Sequence, residues 1–186
     1  MKLAALLVAF GTCAAAAAPA LAAGANEVEA GLRLGIGVAN VGGQHPWGPA
    51  GGLEVAYGIT DAWAVSGTVQ GSTGSVSANK SAGIAAGSER SAAALLGVIY
   101  TVDILRLVPF ARAEFGFAQL SGPLAPTEQM FAAAIGLGGD YFVTRQLKAG
   151  ITFQYLYRPQ DLFSDPRNLG SAPFTFSTTA RFSWVF

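Results

Sequence analysis

The sequence predicts an all-β fold, an eight-stranded antiparallel up-and-down transmembrane β-barrel preceded by a cleaved signal peptide, and three observations carry that expectation. Eight stretches alternate large apolar residues with Gly, Thr, Ser or charged ones, the period of a strand with two unlike faces. The connections between them alternate long and short. Residues 1–22 hold one charge, Lys2, then the apolar run Leu3 to Ala18 and the small residues Ala20 and Ala22. That is the pattern of a secretory signal, and it falls short of a spanning helix.

Two segments follow, a signal peptide over 1–22 and a barrel domain over 23–186. Cys13 is the one cysteine and leaves with the signal, so neither disulfides nor thiol chemistry is open to the rest. About 164 of the 186 residues remain, one domain's worth. Eleven acids then face ten bases, since Lys2 is lost. Such a balance gives no footprint for nucleic acid. The chain is 52% hydrophobic with 24 Gly, yet no apolar run beyond the signal is long enough for a helical span.

In order, Val28, Ala30, Leu32, Leu34, Ile36 and Val38 oppose Glu29, Gly31, Arg33, Gly35 and Gly37 in the first strand. Residues 40–51, with Gly42-Gly43, Pro46 and Pro49, read as a loop by their breakers. Leu53 to Ile59 is the second strand, Thr60-Asp61-Ala62 a tight turn, and Trp63 to Gln70 the third strand. Residues 72–90, rich in Ser, Gly and Ala, read as a long loop. Ala94 to Asp103 and Ala111 to Ala118 are the next strands, joined by a short link ending at Pro109. Residues 121–129 form a third long connection, Phe131 to Tyr141 the sixth strand, and Val143 to Gln146 a short turn. Leu147 to Arg158 is the seventh strand, 159–173 the fourth long loop, and Phe174 to Phe186 the eighth.

Volume decides which face looks outward, because an eight-stranded barrel is only just wide enough inside for its own side chains. The aromatic faces must therefore point to lipid, and the Gly, Thr and charged faces to the lumen. A soluble barrel would show the reverse. Tyr57, Trp63, Tyr100, Tyr141, Phe142 and Trp184 fall beside the short turns, where a membrane-interface girdle is expected.

Tyr57-Gly-Ile-Thr-Asp61 at the first turn, Pro109-Phe110, Gly136-Leu-Gly-Gly-Asp-Tyr-Phe-Val-Thr144 at the third turn, and Phe186 carry a family resemblance. The chain resembles the small eight-stranded outer-membrane barrels of the OmpA, OmpX and OmpW kind over essentially all of its length after the signal. The resemblance implies residence in the outer membrane of a Gram-negative cell envelope, with long loops outside and tight turns in the periplasm. Outer-membrane lipid, the barrel-assembly machinery and an unknown surface ligand met through the loops are the implied partners. Phe182, Trp184 and Phe186 resemble the C-terminal signal that the assembly machinery reads. Unlike OmpA, the sequence stops at the barrel, so a cell-wall tether is not implied.

Function lies in parts that vary freely within such a family. On the inward faces Glu29, Glu54, Asp103, Glu114 and Asp140 match Arg33, Arg112, Lys148, Arg158 and Arg181 in number. Balanced charges in a narrow lumen are expected to pair and plug, whereas a selective ion path needs an unbalanced ring. His45, the one histidine, sits in the first long loop and would need Ser88 and Glu89 to form a hydrolytic group; no His-x-Ser arrangement at a strand end supports it. Gly31, Gly35 and Gly37 precede no helix, so they make room in a lumen rather than cradle phosphate. The reading is a non-enzymatic barrel without cofactor or metal, structural or surface-interacting. A narrow porin-like channel for small or apolar solutes is the alternative, and a lipid-modifying enzyme stands third.

Overall fold

The computed structural model describes residues 24–40, 44–78, 86–102, 106–123, 128–158 and 174–186. The signal peptide, Asp103 and the loop 159–173 lie outside the described residues. Eight strands follow one another: β1 (Val28–Asn40), β2 (Trp47–Gly58), β3 (Trp63–Val76), β4 (Gly87–Thr101), β5 (Leu107–Ser121), β6 (Glu128–Phe142), β7 (Leu147–Tyr157) and β8 (Phe174–Val185). Each pairs antiparallel with its neighbours, and β8 closes on β1. Closure leaves no open sheet edge, the condition for strands to cross lipid with every backbone group paired.

The register gives the barrel its shape. One circuit across the strands runs Glu29, Ala56, Ser66, Gly97, Glu114, Ala134, Leu156, Thr175 and returns to β1 at Ala39, ten residues beyond its start. A stagger of that size tilts the strands by about 35–45° and leaves a lumen that side chains fill.

Alternation sorts the side chains as volume requires. Leu32, Leu34, Leu53, Val69, Leu96, Phe115, Phe117, Ile135, Leu137, Phe153 and Phe182 stand exposed on the outside. Arg33, Glu54, Thr68, Arg112, Glu114, Thr152, Gln154 and Arg181 are buried inside. The polarity of a soluble barrel is inverted, as lipid solvent demands.

Two of the tight turns use the same local device. The Thr60 hydroxyl accepts from the Trp63 amide at 3.0 Å and the Thr144 hydroxyl from the Leu147 amide at 3.0 Å. Threonine competes for backbone partners in this way wherever the chain must reverse. Beside these turns Tyr57, Trp63, Tyr100, Tyr141 and Trp184 are exposed, Trp63 against Tyr100 with ring centroids 4.9 Å apart. Phe142 is not in that girdle. It shares the inward parity of Asp140 and lies under the Lys148 ammonium, 5.3 Å from its ring centroid.

Three expected loops are shorter than their composition suggests. β2 already begins at Trp47, β3 and β4 extend to Val76 and from Gly87, and β5 and β6 reach Ser121 and Glu128. The ladder Ser72–Ser91 to Val76–Gly87 needs only backbone, and strands that have left the lipid need no apolar face. Pro49 and Pro109 are tolerated within strands because each stands one residue past the last rung on one side, Ala50–Ser72 and Thr101–Phe110.

If the β3–β4 connection is external, trypsin added to intact cells is expected to cleave at Lys80. Cleavage that requires a breached outer membrane would reverse the orientation.

Candidate functional site

The inward residues of seven strands meet in one lattice nearer the tight-turn end. Two residues apart on β5, Arg112 and Glu114 share a face, and the guanidinium donates to Glu114 at 2.6 Å and to Glu54 of β2 at 2.5 Å. It also donates to the Thr68 hydroxyl of β3 at 3.1 Å. Thr68 in turn donates to Glu114 at 2.8 Å, as does the Gln154 amide of β7 at 3.0 Å.

Glu54 joins three cations. Besides Arg112 it takes Arg181 of β8 at 2.7 Å, and the Arg33 Nε stands 3.8 Å away. Arg181 reaches three acids in all, since it also pairs with Asp140 and Glu29, and Lys148 pairs with Glu29 from the next strand. Its guanidinium covers the Phe110 ring at 5.2 Å from the centroid. Arg33 differs from the other bases. Its two terminal nitrogens donate to neutral amides, Gln154 at 3.2 Å and Gln70 at 3.1 Å.

The connected set holds four acids, Glu29, Glu54, Glu114 and Asp140, and four bases, Arg33, Arg112, Lys148 and Arg181. All but Glu29 are buried. Such groups lose several kcal/mol of hydration each and recover it only through mutual pairing and hydrogen bonds. Of the remaining sequence candidates, Arg158 is fully buried just past β7, at the opposite end of the barrel from Lys148.

Glycine makes the space. A Cβ on Gly136 would lie 2.9 Å from the Arg112 Cγ, and one on Gly150 would collide with the Asp140 carboxylate. Inward parity identifies the charges in the sequence, but it does not single out the neutral members Thr68, Gln70 and Gln154 from the other uncharged residues on their faces. Length was the available signal: Gln reaches the barrel axis, Ser and Ala do not.

His45 is exposed, Ser88 is exposed, and Glu89 is buried on the opposite face of β4 from Ser88. The three do not share a face.

A closed barrel with an apolar wall and a charged, hydrogen-bonded interior is an integral β-barrel protein of the outer membrane. The chain belongs to the family described as the outer membrane protein beta-barrel domain, whose family model matches residues 4–182. No curated protein matches the chain. Among solved structures, Neisserial surface protein A is similar with a TM-score of 0.67 at 11% identity, covering 84% of this chain and 96% of that one. The N-terminal β-barrel domain of Pseudomonas aeruginosa OprF is similar with a TM-score of 0.59 at 15% identity, covering 88% and 99%. The attachment invasion locus protein Ail of Yersinia pestis has a TM-score of 0.55 at 12% identity, covering 87% and 99%. At these identities the likeness is one of fold.

Replacing Arg112 by Ala leaves Glu114 without its cation and takes from Glu54 one of three, and is expected to destabilise the barrel by about 3 kcal/mol. Arg33→Met removes bonds mainly to neutral amides and is expected to cost about 1–2 kcal/mol. Urea titration of both variants checks the order; an unchanged midpoint for Arg112→Ala would mean a wet, screened lumen.

Proposed function

We propose that this chain is a non-enzymatic outer-membrane barrel that acts through its outer connections, in a structural or surface-binding role, and does not pass solutes through its lumen. The neutral lattice of eight paired charges carries this reading. Its members line the lumen from β1, β2, β5, β6, β7 and β8, each paired with at least one opposite charge, and Arg112 and Arg181 reach acids on other strands, Arg112 to Glu54 and Arg181 to Glu29, Glu54 and Asp140. The cavities left around it measure about 40 Å³ near Lys148 and Arg181 and about 20 Å³ near Arg33 and Gln70. Spaces of that size hold one or a few waters, not a solute. Opening a path would break several buried pairs together, at several kcal/mol each.

The experiment is conductance of the refolded protein across a planar bilayer. No unitary steps above the bare membrane are expected; steady steps that scale with protein would replace this reading with a channel.

The same reading includes assembly through the last strand. Phe186 donates its amide to the Val28 carbonyl at 2.9 Å and so completes the β1–β8 seam, with its ring 6.5 Å from that of Trp184. Burial of one such ring is worth only about 1.5–3 kcal/mol. Deleting Phe186 is therefore expected to nearly abolish insertion in cells while detergent-refolded protein stays folded and heat-modifiable on gels. Normal insertion would reduce the residue to packing.

A further inference from the structure

One place on the outer wall departs from its pattern of bulky apolar side chains. A single register row runs Leu34, Gly51, Gly71, Ala92 and Gln119 across β1 to β5, all on the outward face. Three small residues side by side, Gly51, Gly71 and Ala92, leave a broad, shallow recess open along the wall. Leu53, Val69 and Phe117, two residues toward the tight-turn end, stand exposed below it. Two residues toward the other end, Pro49, Thr73, Arg90 and Ser121 form its upper edge.

Arg90 is exposed, and among the described side chains of the strands it is the one charged group that points outward. No ion pair to it is present among the described residues. A guanidinium on the lipid face is costly at mid-depth and nearly free at the interface. Its position therefore marks the headgroup layer, directly above an apolar recess. Hydroxyl side chains surround it, Thr73 and Ser121 in register on either side and Ser75 and Ser88 one turn of the pleat beyond.

We propose that this recess seats one molecule of the phosphorylated saccharolipid of the outer leaflet. An acyl chain lies along Gly51, Gly71 and Ala92, a sugar phosphate pairs with Arg90, and Gln119 and the hydroxyl residues bond the sugar. Charge and shape choose the occupant. The recess takes a chain, the cation takes a phosphate, and the hydroxyl-rich strand extensions above the lipid suit a sugar headgroup better than a compact glycerol one. The proposal goes beyond the function given above but shares with it the external placement of the β3–β4 connection. Trypsin on intact cells tests that placement separately from any lipid count.

Native mass spectrometry of the refolded protein, released from micelles doped with lipid, tests the site with three probes: bisphosphorylated lipid A, its dephosphorylated form, and phosphatidylglycerol. One retained lipid A is expected, with both other probes held more weakly. Arg90→Gln should weaken retention about fivefold, the share of one interfacial cation. Ala92→Phe fills the recess and should abolish retention, while Leu137→Phe, outward on β6, should not change it. Heat-modifiable migration confirms that each variant is folded, and Arg90→Gln, which alters no packing, provides the reading if Ala92→Phe does not fold. Equal retention of phosphatidylglycerol, retention unaltered in both site variants, or no retained lipid would each overturn the proposal.

Discussion

Glu54 is the point on which the interior depends, because Arg112, Arg181 and Arg33 all approach one carboxylate. A single carboxylate cannot neutralise three cations. Glu114 therefore has to stand beside Arg112, and Asp140 and Glu29 beside Arg181, and Lys148 balances the last of these acids. Each group is present because its neighbour would otherwise be desolvated without compensation. The strands are thereby tied together across the axis as well as along the wall. Register is held from inside too, since a slip of one residue would turn every one of these charges toward lipid.

The wall obeys the complementary constraint. Lipid offers no hydrogen bonds, so closure through β1 and β8 and outward apolar side chains are required together. The rings near the tight turns, such as Trp63 against Tyr100, occupy the amphipathic layer between lipid and water. At the other end Trp47 is exposed and Tyr155 stacks on Phe174 with centroids 5.1 Å apart. Two aromatic layers thus bracket the apolar band.

Strand number, closure, the outward face and the inward charges were legible because membrane and lumen impose opposite chemistry on alternate residues. The strand ends were not. Residues 72–76 and 87–91 lack an apolar face because they extend past the lipid, so Ser- and Gly-rich strand looks like loop. Phe142 misled for a related reason: next to Tyr141 at a turn it resembles a girdle residue, yet one step along a strand changes the face. The pairing of individual charges was also hidden. Inward parity says that Arg112 and Arg33 share a lumen, but the stagger of ten residues decides that Arg112 meets Glu54 while the terminal nitrogens of Arg33 meet two amides.

A filled interior has a consequence for where evolution can change this protein. Side chains of the lattice are coupled across seven strands, so a change at one is felt by several partners. Outward positions such as Gly51, Gly71 and Ala92 stand on the other face of the wall and take no part in these pairs. A substitution at such an outward position therefore leaves the charged core in place. The fold itself is shared at 11–15% identity with barrels from Neisseria, Pseudomonas and Yersinia, so very different sequences meet the same demand that strands crossing lipid close on themselves.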